Sequence, residues 1–301
     1  MDKPVSMKQG KPLYVHLGAH RTGTSSFQMM LAENRDLLAH AGYDIAYPGR
    51  DDIPQGDLRL KLPDPRNLGQ WETKFLPSAT AELQRFSSTD SHAMILSEEN
   101  IPGRMIHFPA GQFYPAAEVR LQTLAAAAQA PVLRAVLVVR EYTGLYVSAY
   151  RKRAEDNKSP PFAEGRHNML HMDRGWPDLV RLIFKHLKVQ ELVVIDYGKR
   201  GRSVDILGML VPELATVPLR EPARRMNHSA TDAALVALQE RYHSGEKLER
   251  DAWQQIIAEH RHDKESRGVS EFTKRQTRIL EGRYAEHLEE IAAMPAVLML
   301  R

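Results

Sequence analysis

The 301-residue chain contains no cysteine. Disulfides, thiolate metal centres and cysteine nucleophiles are therefore excluded, and a cytoplasmic location is expected. The first ten residues are polar and hold no apolar core, so no secretory leader is expected. No stretch of about 18 consecutive apolar residues occurs, so no membrane span is expected either. A charge of one sign is lacking as well: 41 Lys+Arg face 38 Asp+Glu, for a net charge of +3. The basic residues are interleaved with acids, which describes a solvated surface rather than a nucleic-acid footprint. There is no G-x-S-x-G nucleophile elbow and no His-Glu-x-x-His pattern. His167 and His171 lie four residues apart, and His260 and His262 lie near Asp263, but no third ligand accompanies either pair. No metal is expected.

What is present begins at Leu13-Tyr-Val-His-Leu17, a short apolar strand pattern followed by Gly18-Ala-His-Arg-Thr-Gly-Thr-Ser-Ser26. From Phe27 apolar residues recur at helical spacing until Gly42. A glycine-rich turn from strand to helix points successive amides and the positive end of the helix dipole at one spot, which makes an anion cradle. Gly18 and Gly23 have the spacing of a nucleoside-triphosphate loop, G-x-x-x-x-G-K-[ST], but Thr24 stands where that loop has its lysine. The only cation of the loop is Arg21. A phosphate is expected here, and ATP with magnesium is not.

Three more strand patterns follow at residues 93–97, 133–139 and 192–196. Helical patterns separate them at 80–86, 116–129, 142–155 and 176–187. Near-continuous apolar strands joined by helices predict an α/β fold. Its P-loop-type parallel β-sheet is flanked by helices on both faces and followed by a helical C-terminal region from about residue 230 to the end. A single domain over 1–301 is expected. Long loops at 47–77, 101–115 and 157–174 break the pattern and are expected to shape a ligand pocket. They mix aromatics (Trp71, Phe75, Phe108, Phe113, Tyr114) with Arg50, Arg59, Arg66 and Arg104. Trp176 and Phe184 form an apolar stripe that is expected to be core.

In sheets of this kind ligands bind beyond the C-terminal strand ends. After the third strand pattern stands Arg140, followed by a helix carrying Ser148. A guanidinium there suits a second anion site, and equally suits a strand cap paired to Glu141. After the second stands Ser97-Glu-Glu-Asn100. Neighbouring residues of extended chain point opposite ways, so only one of Glu98 and Glu99 is expected to face a ligand, as a general base. The competing expectation is two solvent-facing acids at a helix N-terminus.

Gly18-x-x-Arg21-Thr-Gly-Thr-Ser25 with Arg140-x7-Ser148 resembles the P-loop sulfotransferase family, bacterial type, whose donor is 3′-phosphoadenosine 5′-phosphosulfate (PAPS). The resemblance runs from Leu13 to about Ser229. It implies that Gly18, His20, Arg21, Thr22, Gly23, Thr24, Ser25 and Ser26 hold the 5′-phosphosulfate, and that Arg140 and Ser148 hold the 3′-phosphate. Ser97-Glu-Glu-Asn100 resembles a Ser-x-Glu-Asn stretch of bacterial members, which implies Glu99 as the base, with Glu98 or a histidine such as His20 as the alternative. Arg224-Arg225-Met-Asn227-His-Ser229 resembles the loop that closes over the nucleotide, which implies contacts from Arg225 and Asn227. Many family members carry lysine where Arg21 stands. The implied activity is sulfuryl transfer to a hydroxyl, less readily an amine, of a carbohydrate or small polar metabolite, with adenosine 3′,5′-bisphosphate (PAP) as product and no metal required. A P-loop phosphotransferase and a non-catalytic nucleotide-binding protein of the same fold are the alternatives.

Overall fold

The computed structural model describes residues 10–50, 53–223 and 229–301. Six parallel strands form one sheet in the order β2-β3-β1-β4-β5-β6. They are β1 (Leu13–His16), β2 (Tyr43–Ala46), β3 (Ala93–Ser97), β4 (Val132–Val139), β5 (Glu191–Asp196) and β6 (Val297–Leu300). Side chains alternate across the sheet as strand geometry requires. Leu13, Val15, Ala135, Leu137, Leu192 and Val194 enter one apolar layer, and Tyr14, Val136, Val138, Val193 and Ile195 enter the other.

Helices cover both faces. Against the second layer lie α1 (Thr24–Glu33), α2 (Arg35–His40) and α8 (Ser203–Leu210), through Phe27, Met30, Leu38, Ile206 and Leu210. Against the first lie α3 (Leu76–Phe86), α4 (Ala117–Ala128), α5 (Tyr142–Asp156), α7 (Trp176–Leu187) and α11 (Lys274–Ala292). Helix α6 (Phe162–Leu170) adds Phe162 and Met169 to that layer. Helices α9 (Asp232–His243) and α10 (Arg250–Glu259) build small satellite clusters, where Ala234 and Leu235 pack with Ala154 of α5.

The chain winds outward from β1 to the β2 edge, returns through β3, and resumes on the other side of β1 at β4. Winding therefore reverses around β1, which opens a crevice at the C-terminal ends of β1, β3 and β4. Under the crevice a buried polar tie joins three elements. His16 Nδ1 lies 2.9 Å from the Ser97 hydroxyl, and the Gln28 amide donates to the Ser97 carbonyl at 3.2 Å.

The α/β class, the parallel sheet and its two-sided helical cover agree with the expectation from sequence. The last residues differ: a helical run to the C terminus is expected, but β6 joins the sheet beside β5 instead. Pro295 ends the helical pattern, and the four apolar residues after Ala296 gain ladder bonds there, Leu298 staying exposed and the other three half-buried. Among the described residues no helix is long and apolar enough to cross a membrane.

Candidate active site

The turn after β1 is shaped by three residues with positive φ: Gly18 (84°), Arg21 (63°) and Gly23 (88°). Gly18 is required by closeness as well, since a Cβ there would lie 3.0 Å from the Glu99 Cα. The Thr22 and Thr24 hydroxyls both donate to the Ala19 carbonyl, at 2.6 and 3.0 Å, and so stiffen the turn from within. Thr24 opens α1 behind Gly23 as N-cap, and Phe27 N–H is the first to reach back, to the Gly23 carbonyl at 3.2 Å. The helix's first-turn amides at Thr24 and Ser26 have no intrahelical acceptor, and an anion can take them. Thr24 and Ser25 are buried, while Ser26 is half-buried.

Arg21 holds a left-handed backbone that is costly for a long side chain, and strain of this kind concentrates at functional sites. Its Nε donates to the Ser148 hydroxyl at 2.8 Å, and its carbonyl accepts from Arg140 Nη1 at 2.7 Å. The two motifs that sequence separates by more than a hundred residues thus meet. Arg140 also stacks on the Tyr197 ring at 4.7 Å. It does not pair with Glu141, whose carboxylate instead caps α5 by accepting from Thr143 and Gly144 N–H at 2.6 and 2.8 Å. The strand-cap alternative for Arg140 is not what the fold uses. Burial, and then the nearby charge of Arg21, push the Arg140 pKa down.

Arg200 is a part of this cluster that the sequence reading missed. Its guanidinium donates to the Gly23 carbonyl and the Ser203 hydroxyl, both at 3.0 Å, and its Nε is buried with no partner among the described residues. A Cβ at Gly23 would meet that Nε at 2.5 Å. The only sequence signal is the basic run Lys199-Arg-Gly-Arg202 just past β5. Arg21, Arg140 and Arg200 have no carboxylate within ion-pair distance among the described residues. Half-buried cations in that state favour an anionic ligand.

Beyond β3 the two carboxylates part company. Glu98 is 1% exposed and takes both Arg50 nitrogens at 2.9 Å, besides the Asn100 N–H at 2.8 Å. Glu99 lies 3.4 Å from His20 Nδ1 and 3.4 Å from Arg50 Nη1. Burial acts to raise the Glu99 pKa, but His20, Arg50 and Arg21 outweigh it and hold the carboxyl down at about 2. The strict alternation expected of extended chain fails because β3 ends at Ser97 and a turn begins at Glu99, so Arg50 reaches both acids. No helix starts there, so the solvent-facing alternative fails too. The turn is held from beneath by Arg120, 4% exposed, which donates to the carbonyls of Asn100, Ile101, Leu62 and Pro63.

His20 points the other way with its second nitrogen, Nε2 lying 2.8 Å from Asn100 Oδ1. His20 and Asn100 form one end of a cavity of about 210 Å³. Residues 104–109, the second half of α5 and residues 156–169 complete it. Of the aromatics expected to shape a pocket, only Phe108 lines this one. Phe113 and Tyr114 are buried and pack edge-on to one another, with Phe113 against Trp176. No described residue of the 47–77 loop lines the cavity; Arg50 is spent on Glu98 and Glu99. Trp176 is core, as expected, and its indole also donates to the Arg140 carbonyl at 2.9 Å. Arg225 and Asn227 lie outside the described residues. Among those described, no three His, Asp or Glu gather as a metal site.

No family model matches the chain, and no curated protein matches it. One similar solved structure is a crystal structure of a sulfotransferase from Alicyclobacillus acidocaldarius, at 15% identity and a TM-score of 0.41. The match covers 81% of this chain and 99% of that one. At this identity and score the likeness lends no weight to a functional assignment.

Proposed function

We propose that the chain is a PAPS-dependent sulfotransferase that moves a sulfuryl group to a hydroxyl acceptor and releases PAP. The observation that carries this reading is the meeting of Arg21, Arg140 and Ser148 over a helix N-terminus, with no carboxylate partner for either arginine among the described residues. Two cations at one crevice suit a ligand with two separate anionic groups. The first-turn amides of α1 take the 5′-phosphate end, with Gly18, Thr22 and Gly23 shaping the turn that presents them. Arg140 and Ser148 take the 3′-phosphate, and Arg21 stabilises charge that develops during transfer. The donor supplies a sulfuryl group, which carries less negative charge than a phosphoryl group and demands less cationic clamping.

Removal of the acceptor proton is assigned to the couple of His20 and Glu99. With Nδ1–H donating to Glu99 the ring is neutral, and the acceptor hydroxyl takes the place of Asn100 at Nε2, whose lone pair receives the proton. His20 lines the cavity; Glu99 does not, and with its pKa held at about 2 it is a weak base but a lasting anion. Glu99 therefore orients the imidazole and holds the charge the ring gains, much as a carboxylate does behind other catalytic histidines. This moves contact with the acceptor from Glu99, where the sequence reading put it, to His20. Glu98, clamped by Arg50, is assigned a structural role. The phosphotransferase alternative loses ground because Thr24, at the Walker lysine position, is a buried hydroxyl bonded to Ala19.

The test is selectivity for the 3′-phosphate. Wild-type protein should bind PAP at least tenfold more tightly than adenosine 5′-monophosphate, and Arg140→Ala should erase that margin. Equal affinity of the wild type for both nucleotides would contradict the assignment.

A further inference from the structure

The cavity beside His20 is walled by Met105, Ile106, Phe108, Phe162 and Met169. That wall offers few hydrogen-bonding groups, and a polyhydroxylated sugar enclosed there would lose water contacts without replacement. The charged part of the lining is different. Arg104, Lys152 and Arg153 stand there with Asp156 as the one acid. Lys152 pairs with Glu155 at 2.9 Å, and the Asp156 carboxylate accepts from the Asn157 side chain. The guanidinium groups of Arg104 and Arg153 have no hydrogen bond or ion pair among the described residues. Tyr146, also in the lining, is 1% exposed, and its hydroxyl has no partner among the described residues.

We propose that this cavity binds an acidic amphiphile: a small molecule with an aryl or alkyl body, one hydroxyl and one carboxylate or other acidic group. The apolar body lies on the Phe108 and Met169 wall, the acid pairs with Arg104 and Arg153, and the hydroxyl faces His20 and Asn100. The Tyr146 hydroxyl gains a partner from the ligand. The cavity is smaller than the roughly 300–1,000 Å³ of drug-sized sites, so the body is short. Naming this ligand as the acceptor rests on the sulfotransferase reading; its binding does not. The class narrows the carbohydrate or small polar metabolite expected from sequence to an acidic compound with an apolar body, because the lining is largely apolar apart from its arginines and lysine.

The test is calorimetric titration of the full chain with 3-(4-hydroxyphenyl)propanoate, 4-hydroxyphenylacetate and 8-hydroxyoctanoate. Each is run beside its methyl ester, with N-acetylglucosamine as the neutral sugar. At least one acid should bind tenfold or more tightly than its ester, a margin of about 1.4 kcal/mol. The Arg104→Gln/Arg153→Gln double variant should keep the wild-type melting temperature and bind acid and ester alike. Acids no tighter than esters, acids that do not bind, or a sugar that out-binds every acid would each overturn the proposal. Acid binding by a protein that does not bind PAP would leave this proposal standing and remove the sulfotransferase reading. Transfer to the sugar with no acid bound would do the reverse.

Discussion

Glu99 is an anion set among His20, Arg50 and Arg21, and its titration follows from that company. Its folded pKa of about 2 lies below the ordinary 4.5, so the folded state binds this proton less readily than the unfolded one. The stability it contributes is present above pH 4.5 and is lost as pH falls from there to about 2. Glu99→Gln removes this dependence, so urea midpoints of variant and wild type should converge as the pH is lowered through that window. In the same variant turnover should fall by about 10²–10⁴-fold while PAP affinity holds. Glu98→Gln should also lower the urea midpoint at pH 7, because Arg50 loses its bidentate partner, but should leave turnover far less affected. Near-normal turnover in Glu99→Gln would remove the couple from the mechanism. A second acid effect belongs to His16, where burial and then Arg200 push the ring pKa down to about 3 from 6.5. Only the unfolded chain takes up that proton on acidification, so stability declines from pH 6.5 toward 3, and His16→Asn should flatten the upper part of that decline.

At the scale of elements, the Glu99 turn depends on a single buried guanidinium. Arg120 on α4 ties the turn after β3 to residues 62 and 63. Arg120→Ala leaves those carbonyls without their donor and should cost about 2–4 kcal/mol, measured by urea unfolding. PAP affinity at the α1 end should change far less. Strands β1, β3, β4 and β5 and helix α7 were legible in sequence because each is a clean apolar run or stripe ended by a polar or turn residue. Strand β2 was not, since Tyr43-Asp-Ile-Ala46 is too short to show a period after Gly42. Helix α6 was hidden by Pro160, Pro161 and Gly165, and β6 by the helical pattern that runs into it. At the site, the loop and the Arg140 and Ser148 pair were legible because their spacing is local. Arg200, the Arg50 clamp and the Arg120 tie were not, because each joins segments that only the sheet order brings together.

For the molecule as a whole, the reversal of winding at β1 gathers the ends of β1, β3 and β4 into one crevice. That crevice holds Arg21, Arg140 and Arg200 on one side and the Glu99 and His20 pair on the other. An excess of cations there favours an anionic ligand, and the missing Walker lysine counts against ATP with magnesium. The most direct measurement is thermal unfolding with PAP in the presence of a metal chelator, run beside ATP with magnesium. At 100 times its Kd a ligand adds about 2.7 kcal/mol, readily seen as a rise in Tm. The account predicts a clear rise with PAP, undiminished by the chelator, and little with ATP and magnesium. A rise with ATP and magnesium alone would contradict it and point to a phosphotransferase.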